Sequence, residues 1–90
     1  MATATATATA EGQATTGTVF SGWALLSVSD IGNSVIIFER SHDSGTTWEC
    51  IDSFGKNVEH NFYAPGAATE YRLRLASYRN SDGVVLRLES

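Results

Sequence analysis

The sequence predicts an all-β domain, an antiparallel β-sandwich of about seven strands with an extended N-terminal arm. Three observations predict it. Short runs of β-branched and aromatic residues recur along the chain, separated by turn clusters. The run Tyr71-Arg72-Leu73-Arg74-Leu75 alternates apolar and charged residues, the pattern of a strand with one wet face. No window combines helical periodicity with caps.

Ala2 to Ala10 alternate Ala and Thr. Such alternation suits an extended strand, with Thr on one face and Ala on the other, but it offers no large side chain to bury. Residues 1–14 are therefore read as an arm and 15–90 as the sandwich domain. Thr15 to Phe20 is the first strand of the domain, and Ser21 and Gly22 break it. Trp23 to Ser29 follows. Trp23, Leu25 and Ser27 share one face; Ala24, Leu26 and Val28 share the other. Both faces are fairly apolar, so cover on both sides is expected. Asp30-Ile31-Gly32-Asn33 is a turn cluster.

Val35 to Arg40 and Trp48 to Asp52 read as two strands of a hairpin. Between them, Asp43 can bond its own backbone two residues on, and Gly45 can take a positive φ. Cys50 sits on the second strand and is expected as a small buried hydrophobe. Asn57 to Tyr63 alternates strictly, with Val58, His60 and Phe62 on one face. Ala64-Pro65-Gly66-Ala67-Ala68 reads as the clearest break in the chain. A turn is expected over Arg79 to Gly83. The closing strand, Val84 to Glu89, turns Val84, Leu86 and Leu88 inward.

Ninety residues make one domain. About 20 inward side chains at ~1.5–3 kcal/mol each give an adequate but modest core, which a partner could reinforce. The net charge is −4, with six basic residues against ten acidic ones. That balance argues against a duplex nucleic-acid binder and against a polybasic membrane surface. A single cysteine excludes an intramolecular disulfide. No stretch has the length and apolarity to span a bilayer, and no basic region precedes an apolar block at the N-terminus. Synthesis in the cytosol is the expectation.

Catalytic constellations are not expected. Ser41, His42 and Asp43 are consecutive, and neighbours on an extended chain point to opposite sides, so they do not line up as nucleophile, base and orienter. His42, His60, Cys50 and Asp43 lack metal-ligand spacing. Gly12, Gly17 and Gly22 introduce no helix and form no phosphate loop. No cofactor is implied. Arg72, Arg74 and Arg87 are a candidate basic stripe, either paired with Glu59, Glu70 or Glu89 across strands or docked on an acidic partner.

Three resemblances add to this reading. Ser41-x-Asp43-x-Gly45-x-Thr47-Trp48 resembles the Asp-box of sialidase-type propellers. There it is a structural turn without catalysis. The resemblance implies that Asp43 ties the loop backbone and that Trp48 packs beneath it. Tyr63-Ala64-Pro65-Gly66 followed by Thr69 to Leu75 is similar to the E–F region of fibronectin type III domains. That likeness implies an Ig/fibronectin-like sandwich in which Tyr71 forms a tyrosine corner, its hydroxyl bonding backbone near Ala67. The strand–Arg40-to-Trp48–strand hairpin, followed by Tyr71-Arg72-Leu73, resembles small phage head proteins. It implies a non-enzymatic decoration or cement protein on the outside of a capsid lattice, made in the host cytoplasm and resident on the virion. Its partner would be the major capsid protein or another virion protein, with a homo-oligomer as a further expectation.

In that setting the arm is the expected attachment: Ala2, Thr3, Ala4, Thr5, Ala6, Thr7, Ala8, Thr9 and Ala10. Its small side chains let its backbone lie close to a partner and add as an edge strand. The competing class is a carbohydrate- or cell-surface-binding module, as on a phage tail or adhesin. It requires exposed aromatics beside polar groups, for which Trp23, Tyr63 and Tyr78 are the candidates.

Overall fold

The computed structural model describes residues 2–79 and 82–90, with backbone alone at 65–68. Among them are six strands: β1 (Thr3–Ala8), β2 (Thr18–Ser29), β3 (Val35–Ser41), β4 (Glu49–Phe54), β5 (Val58–Ser77) and β6 (Val84–Glu89). All belong to one antiparallel sheet in the order β1-β6-β2-β5-β3-β4.

A single sheet has no second layer to cover its apolar face, so this one covers itself by rolling. Ala4 and Ala8 of β1, Leu26 and Val28 of β2, Ile36 and Phe38 of β3, Leu73 and Leu75 of β5, and Leu86 and Leu88 of β6 are all buried in one cluster. The roll turns on β5. Its first part pairs with β2, from Val58↔Val28 to Tyr71↔Thr18. Its last part pairs with β3, from Glu70↔Ser41 to Ser77↔Val35. Along the other side of that last part runs the chain leaving β1. Gly12 N donates to Leu75 O (2.8 Å), Leu75 N to Gln13 O (2.8 Å) and Thr15 N to Leu73 O (3.0 Å). The Thr15 hydroxyl accepts from Leu73 N as well (3.0 Å).

Four expectations are corrected here. The first break at Ser21-Gly22 is absent, and β2 runs unbroken from Thr18 to Ser29. Gly22 takes φ +82° and the register with β5 shifts between Val19 and Ser21. Gly22 itself keeps register opposite Ala64, and the extra residues of the shift lie on β5, between Pro65 and Glu70. The second expected break is an irregular stretch within one strand rather than a turn between two. β5 continues through 64–68, but its ladder with β2 is interrupted there: Val19 to Ser21 stands against Glu70 to Pro65, so the extra residues bulge out of β5 rather than ending it. Pro65 is opposite Ser21 of β2, and β3 joins only from Glu70, so the missing proline N–H removes no bond to β3. The Pro-Gly turn's side chains, the backbone partner expected near Ala67 and part of the Arg79–Gly83 turn lie outside the described residues.

Third, the Trp23 face of β2 is open to solvent, while Ala24, Leu26 and Val28 are buried. The sheet rolls toward one face only. Fourth, Cys50 is exposed. It lies on β4, which ends the sheet, and Glu49 to Ser53 are all exposed.

Candidate functional site

The hairpin between β3 and β4 is built by its own polar side chains. Ser44 and Gly45 both take positive φ (60° and 87°), which turns the chain back. The Ser41 hydroxyl, buried, donates to Asp43 Oδ1 (2.7 Å) and accepts from Gly45 N (2.9 Å). Asp43 Oδ1 also accepts from Thr47 N (2.8 Å). These bonds favour the ionised carboxylate, and its pKa is lowered from 3.8 to about 2, first by the Thr47 amide and then by the Ser41 hydroxyl. Trp48 closes the loop by donating its indole N–H to Gly45 O (3.1 Å). His42 turns aside to Thr69, its Nδ1 3.2 Å from the Thr69 hydroxyl. Ser41, His42 and Asp43 therefore serve separate contacts.

The hairpin is fastened to β5 by Trp48. The Arg72 guanidinium lies 4.1 Å above the centre of the indole ring. On another side the ring reaches Gly17, where a Cβ would stand 2.9 Å from it and 2.5 Å from Glu70 Oε1. Arg72 Nε in turn donates to Glu39 Oε1 (2.9 Å), and Arg74 Nε donates to the same oxygen (3.0 Å). Glu39 is directly opposite Arg72 in the β3–β5 register, and Arg74 is its diagonal neighbour. Sequence reading missed this acid. Its signal was a lone carboxylate in the apolar run Val35-Ile36-Ile37-Phe38-Glu39. Arg87 stands apart on β6, where its Nη2 donates to Glu89 Oε2 (2.7 Å).

Tyr71 is buried among aromatic rings. It stacks on Phe38 (centroids 5.7 Å) and lies 5.2 Å from Phe62 and 6.4 Å from Phe20.

The Ala/Thr segment is extended and paired. β1 runs antiparallel to β6 from Thr3↔Glu89 to Ala8↔Val84. Ser90 N donates to Ala2 O (2.9 Å), which makes Ala2 and Ser90 a hydrogen-bonded pair. By the alternation of antiparallel ladders, Ala4, Ala6 and Ala8 direct their backbone groups to β6, and Thr3, Thr5 and Thr7 direct theirs outward. Thr9 fits the series, its N–H donating to Gln13 Oε1 (2.7 Å). β1 ends the sheet, so among the described residues no strand lies on that outer side.

On the outward face of β2 and β5, Trp23 is 70% and Tyr63 62% exposed. They are opposite one another in the register, with ring centroids 5.5 Å apart, edge to face. Tyr78, the third aromatic considered, is half-buried against the core. Among the described residues no group of three or more His, Cys, Asp or Glu side chains is placed to hold a metal ion.

Comparison with protein-family models, with curated proteins and with solved structures finds no match to this chain.

Proposed function

We propose that the protein is a non-enzymatic structural protein that docks onto a larger assembly through the outer edge of β1. The resemblance of the Arg40–Trp48 hairpin and Tyr71-Arg72-Leu73 to phage head proteins supplies the assembly: the outside of a capsid lattice, with the major capsid protein or another virion protein as partner. On this reading it is a virion-surface decoration or cement protein. The rolled sheet is then a variant of the Ig/fibronectin-like sandwich, with the partner change along β5 acting as the crossover between two layers.

One observation carries the reading. β1 is a sheet-ending strand of Ala and Thr alone, with the Thr3, Thr5 and Thr7 backbone groups turned outward. Native edges are commonly protected by charge, proline or a covering loop. This one carries neither charge nor proline, and its small side chains let a partner strand approach closely.

Deleting 2–15 is a poor test, because it also removes the bonds from Gly12 and Thr15 to β5. Thr5→Pro is a cleaner one. The Thr5 N–H faces outward, so proline removes a docking donor without removing a bond to β6. Co-sedimentation with capsids, or with whichever assembly the neighbouring genes encode, is expected to fall while the melting temperature holds. Undiminished co-sedimentation of T5P overturns docking through this edge.

A further inference from the structure

A second surface lies on the outward side of β2, β5 and β6, away from the outer edge of β1. The β6 ladder with β2 ends at Leu25↔Glu89, two residues short of Trp23. Trp23 and Tyr63, 70% and 62% exposed, stand beside that ladder. Trp23, Leu25, Asn61, Glu89 and Ser90 line a hollow of about 290 Å³ there. Tyr63 borders Trp23 on the other side.

The size and edging of this surface say what it fits. Its apolar centre is Trp23, Tyr63 and Leu25, a patch the size of one or two sugar rings. The same face continues outward from this island as Ser27, Asn61 and Glu59, placed by the β2–β5 register. Glu89 is held in place by Arg87 at 2.7 Å. A matching ligand has a small apolar face bounded by hydroxyl groups. A pyranose ring has that form: its C–H face lies on the electron-rich indole, and its hydroxyls meet the Asn61 amide and the Glu89 carboxylate. Arg87 offsets Glu89, so it is Glu59 and the chain's net charge of −4 that weigh against anionic sugars.

We propose that the Trp23–Tyr63 face is a binding site for a neutral pyranose, whether or not β1 docks on a capsid. It is an open, shallow site, so single rings bind weakly and short oligosaccharides better.

The test is titration of the full, isotope-labelled chain with methyl glucoside, methyl galactoside, methyl mannoside, N-acetylglucosamine and their short oligomers. Sialyllactose and heparin are the anionic comparisons. The Trp23 and Trp48 indole N–H signals report separately. At least one neutral sugar is expected to move the Trp23 signal and leave that of Trp48 in place. Trp23→Ala and Tyr63→Ala are each expected to weaken binding about tenfold or more while the domain stays folded, each losing only the modest stability of the cross-strand pair. Three outcomes overturn the proposal. One is no neutral sugar moving the Trp23 signal. A second is a response to the anionic ligands alone. The third is a Trp23 signal that moves only with protein concentration, which would mean that a second copy covers the face.

Discussion

Arg72 and Trp48 join the two parts of the molecule that the chain makes separately. The Arg72 guanidinium lies 4.1 Å above the Trp48 ring while its Nε holds Glu39 at 2.9 Å. One side chain of β5 thus anchors both the hairpin loop and the buried acid of β3. The loop's geometry is local, but its position on the sheet depends on this contact.

The first prediction concerns Glu39. Its side chain is 8% exposed, against 25% and 31% for Arg72 and Arg74. Glu39→Ala leaves two half-buried guanidinium groups without their shared acceptor. Solvent still reaches both, so the loss is about 1–2 kcal/mol rather than that of a fully buried pair. Glu89→Ala, which breaks an exposed pair, is expected to cost less than about 0.5 kcal/mol. Urea unfolding of the two variants measures the difference; equal losses would remove the structural role of Glu39.

Asp43 makes stability depend on pH. Its folded pKa of about 2 lies below the unfolded 3.8. The unfolded chain therefore takes up the proton first as pH falls. The stabilisation from Asp43 is fully present above about pH 4 and is lost progressively as pH falls to about 2. The stability gap between parent and Asp43→Ala is expected to close across that window. Urea midpoints measured at a series of pH values check it, and a gap that stays constant through the window would rule the linkage out.

Trp48 and Gly17 form a matched pair. Trp48→Ala removes a half-buried ring and its stack with Arg72, at about 3 kcal/mol, the low end for a large aromatic. Gly17→Ala places a methyl group 2.5 Å from Glu70 Oε1 and 2.9 Å from the indole, so the flexible carboxylate and the ring must both shift. It is expected to cost about 1–3 kcal/mol. In W48A the indole is gone and part of that clash with it. The double variant should therefore lose less than the sum of the two, as a double-mutant cycle in denaturant would register.

What the sequence made legible was local. The polar residues from Ser41 to Thr47 specify their own turn. The period of two in Tyr71–Leu75 and Val84–Leu88 fixes which residues face inward. What was not legible depends on pairing between distant segments. Pro65-Gly66 carries a strong local turn signal and does interrupt the ladder, but that β5 resumes pairing with β2 at Glu70 depends on distant residues. Trp23 and Leu26 are equally apolar, and the direction of roll decides which is exposed. Glu39 could not be assigned to Arg72 without the β3–β5 register. The Ala/Thr run reads as a strand, but its small side chains give no sign of where it pairs.

That last property leads to the final prediction. A shift of β1 by two residues along β6 keeps every Ala inward and every Thr outward, so the repeat itself does not fix the register. Contacts at the ends of β1 must do so. Ala2 and Ser90 bond through Ser90 N to Ala2 O (2.9 Å) and Ala2 N to Ser90 Oγ (3.0 Å). At the other end, Gly83 takes φ +140°, and a Cβ there would stand 2.8 Å from Thr7 Cγ2. Gly83 thus lets Thr7 lie close to the chain entering β6, and a side chain would push it off. Gly83→Ala is expected to loosen β1 selectively. Amide hydrogen exchange should speed up at Ala4, Ala6 and Ala8, whose N–H groups face β6. Leu26 and Leu73, in the centre of the sheet, should keep the parent's protection, because strands open in local units of unequal stability. Parent-like protection of all three alanines in G83A would show that this close approach does not hold the register. Uniform loss of protection, at Leu26 as well as Ala6, would show that Gly83 supports the whole sheet rather than its first strand.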